Sequence, residues 1–286
     1  MTKKQQKMWH QELPFRLGAT SYIFAEDILP NVHKLKNKAA DIELILFEND
    51  GTGNIPTQNG LKELKHVSDE WGLTYTVHLP LDIGLGNSGG KRSEAVAKVK
   101  SLVERLSMLD PHAYILHLNL SKQAEKNLES WQDRVGESLK KIAGFQAVSP
   151  QKIAVENLSY PFCYVDTLVG KYGFSTCVDI GHLIVQGVDP LAYLEKYFHM
   201  TRVVHLHGVN AGTDHVSLRY LDAALLERVA LFLKDHNYRG VVTLEVFSQT
   251  DLEESSDALW EIFIYNRWRE NKERIAGRGF IAKKEG

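Results

Sequence analysis

The sequence pattern that points most clearly to the fold lies at Phe174-Ser175-Thr176-Cys177-Val178-Asp179-Ile180-Gly181-His182. It begins with a short run of apolar and β-branched residues, which is typical of a buried strand. The run ends at Asp179, and a glycine and His182 follow within one helical turn. A strand that stops in this way places a carboxylate and an imidazole side by side at its carboxyl end. Similar runs with similar endings recur along the chain.

Short apolar runs alternate with helical patterns over most of the chain. The predicted strands are Arg16–Thr20, Asp41–Phe47, Leu73–His78, Ala113–His117, Lys152–Glu156, Phe174–Val178, Arg202–His205 and Gly240–Glu245. The predicted helices are Asp27–Lys38, Asn59–Trp71, Ser93–Met108, Gln123–Val148, Asp166–Val169, Pro190–Phe198, Leu221–His236 and Leu252–Glu273. Continuous apolar strands that alternate with helices indicate a parallel sheet covered by helices. Eight such units are what a closed (β/α)8 TIM barrel requires, so an α/β fold of this kind is favoured over an open doubly wound sheet.

Length and composition restrict the class of protein. The 286 residues suit a single TIM-barrel domain spanning 1–286, with a loose lead-in at 1–14 and a flexible tail at 274–286. The net charge of -2 argues against extended nucleic acid as a partner. The two cysteines are too few for a disulfide framework, which favours a cytoplasmic location. We find no signal peptide and no apolar run long enough to span a membrane.

Residues that commonly bind metals or substrates follow the strands at the end where TIM barrels carry their chemistry. They are Glu48, His78, His117, Asn119, Glu156, Asn157, Asp179, His182, His205, His207, Asp214, His215 and Glu245. A single histidine at a strand end is more often a hydrogen-bonded core residue than a ligand. Several carboxylates in one cavity repel one another, however, and a bound cation removes that repulsion. Mixed imidazole and carboxylate ligands suit zinc or manganese, and we expect one to three divalent ions.

The strand ends suggest three metal positions. The carboxylate-rich position would use Glu156, Asp179, His205 and Glu245. A second would use His78, His117 and a shared Glu156. A third would draw on His182 with Asp214 or His215. Two metal ions close together suit phosphoester cleavage, because they stabilise both the attacking and the leaving oxygen.

The order of these ligands resembles the pattern of the xylose-isomerase-like barrel superfamily, and more closely its endonuclease IV branch. Numbered in chain order, the predicted strands that the resemblance covers are strands 3 to 8. The resemblance departs after strand 7, where the endonuclease pattern is Asp-x-His and this chain has the adjacent pair Asp214-His215. The resemblance implies a metal-dependent enzyme with Glu156, Glu245, His182 and His215 as catalytic residues.

A second resemblance involves the amino-terminal part of the chain. Leu17 to Tyr22, Asp27 to Val32 and Asp41 to Glu48 are similar to the start of the cobamide-remodelling phosphodiesterases. This resemblance implies hydrolysis of the nucleotide-loop phosphoester of a cobamide, which gives cobinamide phosphate and an α-ribazole-type nucleoside. The expected substrate contacts are Tyr22, Glu48, Asn119, Asn157 and His207. Three alternatives stay open: a sugar isomerase or epimerase that uses Glu156 and Glu245 for proton transfer, an abasic-site endonuclease, and a non-catalytic binding barrel.

Overall fold

The computed structural model describes residues 13–49 and 52–264, and it confirms the predicted barrel. Eight parallel strands close into a ring in which the last strand pairs with the first. The barrel strands, in chain order, are Arg16–Thr20, Asp41–Ile45, Thr74–His78, Ala113–Leu116, Ile153–Glu156, Ser175–Asp179, Thr201–Leu206 and Val241–Leu244. We refer to them as barrel strands 1 to 8.

Helices cover the outside of this barrel. Their bounds are Ile28–Leu35, Gln58–Trp71, Gly90–Leu106, Lys122–Glu125, Leu128–Ile142, Asp166–Lys171, Ile180–Val185, Pro190–Tyr197 and Ala223–Asp235. A further helix begins at residue 249 and continues to residue 264, where the described part of the chain ends. Their apolar faces pack on the strands in one large cluster of buried side chains, which explains why the strands read as continuous apolar runs.

The register of the strands brings the predicted ligands to one rim. Asp179 at the end of strand 6 pairs with His205 of strand 7, and His205 pairs with Thr243 of strand 8. On the other side of the ring, His78 pairs with Ile45 and with Ile115. Because all eight strands are parallel, their carboxyl ends form a single opening.

Some predicted boundaries were wrong. Strand 2 ends at Ile45 rather than Phe47, because the chain then turns into the short antiparallel hairpin Glu48–Asn49 and Thr52–Gly53. The helix predicted over Gln123–Val148 is divided in two, since the Asn127 side chain caps a new helix at Leu128.

Two further elements follow strands 6 and 7. The helix Ile180–Val185 begins directly after strand 6, and the Asp179 side chain caps it by accepting a hydrogen bond from the His182 N–H at 2.7 Å. A second antiparallel hairpin, Gly208–Asn210 with Thr213–Val216, follows strand 7. Both elements belong to the rim and carry candidate site residues.

The predicted tail at 274–286 and most of the predicted lead-in at 1–14 lie outside the described residues. The same holds for the end of the predicted helix Leu252–Glu273. Across residues 13–49 and 52–264, no helix combines the length and the apolar character needed to cross a membrane.

Candidate metal centre

Four predicted ligands meet at the centre of the rim. The side chains of Glu156, Asp179, His205 and Glu245 each offer a ligand atom, and these atoms lie within 4.8 Å of one another. All four are at most 5% exposed. Three carboxylates and one imidazole in this arrangement form the carboxylate-rich group that the sequence predicts.

Glu156 belongs to a second group as well. Its Oε2 lies 2.8 Å from His117 Nε2 and 3.4 Å from His78 Nε2. Its Oε1 points the other way, 3.4 Å from His182 Nδ1 and 3.7 Å from His205 Nδ1. The two oxygens of one carboxylate therefore face two separate sets of candidate ligands, which is the arrangement of a bridging ligand.

The tautomer of His78 indicates that a cation fits this second group. Its Nδ1 lies 2.9 Å from the carbonyl oxygen of Leu79, so Nδ1 carries the proton. In the neutral ring, Nε2 then presents a lone pair to Glu156 Oε2, and two acceptors face each other. Either an extra proton or a metal ion between them satisfies both.

A cation would also satisfy two buried atoms of the carboxylate-rich group. His205 Nδ1 and Glu245 Oε2 are buried and 3.1 Å apart, and neither forms a hydrogen bond within the described part of the chain. Buried polar atoms without a partner are rare in folded proteins. A cation coordinated by both atoms would satisfy them, so the donor set fits a divalent metal such as zinc or manganese.

A third group consists of His182, His207 and His215, whose ligand atoms also lie within 4.8 Å of one another. Gly181 makes this possible, because a Cβ at that position would lie 2.0 Å from the Cε1 atom of His207. His215 adopts a φ of 55°, an uncommon conformation for a residue other than glycine. This backbone places its Nδ1 atom 3.1 Å from the carbonyl oxygen of Glu245.

The histidines and carboxylates of the site shift one another's pKa values. Burial would lower the pKa of His78, but the hydrogen bond and charge of Glu156 overcome burial and raise it to about 9. Burial likewise opposes the charged form of His207, and Asp179 raises its pKa to about 9. Burial would raise the pKa of Asp179, but His207 and His182 hold it at about 2. Protonation of His78 would thus offset part of the carboxylate charge that a divalent cation would otherwise offset.

The predicted third group is only partly reproduced in the structure. His182 and His215 come together, whereas Asp214 remains 39% exposed with its Oδ2 4.0 Å from His215 Nε2. His207, predicted as a substrate contact, is fully buried and places Nε2 3.1 Å from Asp179 Oδ1. Its Nδ1 lies 2.9 Å from the backbone N–H of His215, so it connects strand 6 to the second hairpin.

The residues predicted to contact substrate differ in how far they are buried. Asn157 is buried, and its amide accepts a hydrogen bond from the Asp179 N–H at 2.7 Å and donates one to the Asp179 carbonyl at 3.0 Å. It therefore holds the end of strand 6. Asn119 is exposed and donates to the carbonyl of Leu81 at 2.5 Å. Glu48 is exposed in the first hairpin, 3.4 Å from the ammonium of Lys98.

Three exposed aromatic rings border the mouth of the barrel. Tyr22 is 48% exposed and makes edge-to-face contacts with Phe47 at 6.4 Å and with Phe247 at 6.2 Å between ring centroids. The ring of Phe247 lies 5.0 Å from that of His215. The aromatic surface thus extends from the third histidine group to the rim, where a large substrate can contact it. We call Tyr22, Phe47 and Phe247 the mouth aromatics.

Sequence reasoning did not select Glu43. This residue of strand 2 is fully buried, and its Oε2 accepts hydrogen bonds from His205 Nε2 at 2.9 Å and from Thr243 at 3.0 Å. A signal was present, because a glutamate in the middle of the apolar run 41–47 needs a buried partner. Glu43 lies inside its strand, however, and not at the carboxyl end where the other candidate residues lie.

A family model described as the xylose isomerase-like TIM barrel matches residues 37–263. The chain belongs to the xylose isomerase-like TIM barrel family. The match covers all barrel strands except the first, and it agrees with the closed eight-stranded barrel. The superfamily resemblance read from the strand ends is therefore confirmed, and its cobamide-remodelling member is a separate proposal.

Solved structures of similar shape carry several different activities in their names. A D-tagatose 3-epimerase-like protein has a TM-score of 0.74 and 18% identity, and the match covers 89% of this chain and 99% of that one. Endonuclease IV from Thermus thermophilus has a TM-score of 0.64 and 19% identity, with 90% and 99% covered. The 3-keto-D-glucoside 4-epimerase of E. coli has a TM-score of 0.64 and 16% identity, with 87% and 99% covered. At these identities the likeness establishes the fold alone. Among curated protein sequences, no relative of the chain is found.

Proposed function

We propose that the protein is a metal-dependent phosphodiesterase that acts on a small-molecule phosphoric diester. The observation that supports this most strongly is the position of Glu156, whose two oxygens face two groups of metal-ligand residues. Proton transfer on a sugar needs one metal and two opposed carboxylates, and it gives no reason for His78 and His117 to converge on the same oxygen. Phosphoester cleavage gains from two adjacent cations.

In the carboxylate-rich group, a metal ion would be held by Glu156, Asp179, His205 and Glu245. In the second group, it would be held by His78, His117 and Glu156. A bound divalent cation would supply positive charge that polarises a phosphoryl oxygen and lowers the pKa of a nearby water. Zinc and manganese both suit this mixture of nitrogen and oxygen ligands.

The remaining roles follow from exposure. The side chains of His182 and His215 are 21% and 23% exposed, so they can reach a substrate in the mouth. As water attacks phosphorus, one P–O bond forms and the bond to the leaving oxygen breaks. Glu245 takes the proton of the attacking water, and His182 or His215 gives a proton to the leaving oxygen and hydrogen-bonds to the phosphoryl group.

We further propose that the substrate is a cobamide, cleaved to cobinamide phosphate and an α-ribazole-type nucleoside. The resemblance of the amino-terminal stretches to cobamide-remodelling phosphodiesterases supports this choice. The mouth aromatics support it as well, because exposed Tyr22, Phe47 and Phe247 offer apolar surface to a bulky, partly apolar ligand. The slightly acidic chain argues against extended nucleic acid as the substrate.

A product assay tests the proposal. The purified protein, loaded with zinc or manganese, is incubated separately with adenosylcobalamin, an abasic-site duplex and a panel of ketoses, and products are identified by mass spectrometry. We expect cobinamide phosphate and the nucleoside, with no nicked DNA. The Glu156→Gln variant, checked for folding by circular dichroism, should give no product. Turnover of a ketose alone would contradict the proposal.

A ketose epimerase is the second candidate. Glu156 and Glu245 contribute ligand atoms within 4.8 Å of one another, and two such carboxylates can exchange a proton with a carbon next to a carbonyl. The D-tagatose 3-epimerase-like neighbour has the same fold. Metal content separates the two candidates, because an epimerase of this kind works with a single ion in the carboxylate-rich group, whereas the phosphodiesterase requires the second group to be filled.

A further inference from the structure

A buried carboxylate lies behind the metal centre. Glu43 projects from strand 2 and is fully buried, as are His205 and Thr243. Its Oε2 lies 2.9 Å from His205 Nε2 and accepts a hydrogen bond from the Thr243 hydroxyl at 3.0 Å. An ionised carboxylate only accepts hydrogen bonds, so the proton of this imidazole is on Nε2.

This hydrogen bond decides which nitrogen of His205 faces the site. With Nε2 protonated, the lone pair of the neutral ring is on Nδ1. That atom lies 3.1 Å from Glu245 Oε2, 3.7 Å from Glu156 Oε1 and 3.9 Å from Asp179 Oδ2. It makes no hydrogen bond within residues 13–49 and 52–264. Nδ1 is therefore the atom available to a cation that the three carboxylates share.

The neighbours of Glu43 distinguish it from Asp41, which also has a buried oxygen without a partner among the described residues but belongs to no candidate metal group. Oε1 of Glu43 is buried without a hydrogen-bond partner among the described residues. The Glu43 side chain also offers a ligand atom within 4.8 Å of those of His78 and Glu245. A buried charge with a free oxygen is costly in a core that has no cation. A divalent ion held by the neighbouring ligands would offset that cost for Glu43.

We propose that Glu43 is a positioning residue of this centre. It fixes the His205 ring with Nδ1 directed at the metal ion, and its negative charge makes the imidazole a stronger ligand. Partners of this kind typically change metal affinity by about 10- to 100-fold. The proposal rests on the metal-binding part of the proposed function and is independent of the reaction and of the substrate.

Metal affinity, measured by competition with a chelator, tests the role without any substrate. Glu43→Gln keeps the shape and an acceptor oxygen but removes the charge, so we expect zinc affinity to fall about 10- to 100-fold. Thr243→Val leaves the carboxylate in place and removes one of its hydrogen bonds, so a smaller loss is expected. Asp41→Asn is the matched control, because Asp41 is a buried carboxylate of the same strand that is hydrogen-bonded to Thr74. The zinc affinity of Asp41→Asn should stay within about twofold of that of the wild-type protein.

A spectroscopic readout on the wild-type protein covers the case in which Glu43→Gln does not fold. Two-bond proton–nitrogen NMR spectra of the zinc-loaded protein should show His205 with a protonated Nε2 and a coordinated Nδ1. Coordination through Nε2, or wild-type affinity in folded Glu43→Gln, would overturn the positioning role while the metal centre stands. A wild-type protein that binds no divalent ion would overturn the metal centre itself, and the role of Glu43 with it.

Discussion

Replacing Glu156 by glutamine should remove metal from two groups at once. Glu156 Oε2 faces His78 and His117, and its Oε1 faces His182 and His205, at distances of 2.8 to 3.7 Å. The amide of glutamine is similar in shape, but it is neutral and directs an NH2 group at one of these sets. Glu156 is the one residue that the carboxylate-rich group and the group of His78 and His117 have in common. A single substitution at this residue should therefore weaken both metal positions.

The size of the effect follows from what a single ligand contributes. Residues that only orient a ligand change metal affinity by about 10- to 100-fold. A direct ligand should exceed that range, so each of the two positions should lose at least about 100-fold, or about 2.7 kcal/mol. Metal-free Glu156→Gln should also lose about 3 kcal/mol of unfolding free energy, because removing one partner of a buried ion pair costs about 3 to 5 kcal/mol.

The assay counts metal ions per chain by elemental analysis after equilibration with limiting free zinc. Glu245→Gln is the matched variant, because Glu245 belongs to the carboxylate-rich group and not to the group of His78 and His117. We expect Glu245→Gln to lose one ion and Glu156→Gln to lose two. If both variants retain the same number of ions, the idea that Glu156 bridges two metal positions is refuted.

Three further predictions concern neighbouring features. Gly181→Ala should cost about 1 to 3 kcal/mol of unfolding free energy, measured by urea denaturation, because its Cβ would lie 2.0 Å from the His207 ring. In EDTA, the unfolding free energy should fall on the order of 2 kcal/mol as the pH rises from about 6.5 to about 9. The reason is that the raised pKa of His78 adds stability only while its ring is protonated. Urea titrations that show no such fall would contradict this prediction. Tyr22→Ala should raise the KM for cobamide about 3- to 10-fold and leave kcat unchanged in steady-state assays, because the half-exposed ring contacts substrate and not the reacting atoms.

The barrel could be predicted from the sequence because its signals are local and repeated. Each buried strand is a short apolar run, and eight of them alternate with helices. The convergence of the candidate ligands on strands 3 to 8 could be predicted for the same reason, since the carboxyl ends of parallel strands must meet at one rim. His78, Glu156 and Glu245 needed no information beyond their place at the ends of apolar runs.

The third histidine group depends on the second hairpin, and this is where local signals were insufficient. The register of that hairpin shifts between Gly208 and Asn210, and His215 takes a left-handed backbone conformation. These two features turn His215 towards the site and leave Asp214 at the surface. Neither feature can be derived from residue types alone, so the sequence does not distinguish between these two neighbours.

Glu43 illustrates a different limit. Strand periodicity places Asp41 and Glu43 on the same face of strand 2, and a charged residue there signals a buried partner. That partner, His205, lies far away in sequence, in strand 7. Only the closed ring, in which strand 7 lies three positions from strand 2, brings the two side chains into contact across the interior.

A crystal structure of the zinc- or manganese-loaded protein, with anomalous scattering measured at the absorption edge of the metal, would show whether Glu156 joins two metal positions. We predict at least two anomalous peaks, one in contact with His78 and His117 and one in contact with Asp179 and His205, with a Glu156 oxygen bound to each. A single peak in the carboxylate-rich group, with His78 and His117 hydrogen-bonded directly to Glu156, would contradict this role of Glu156.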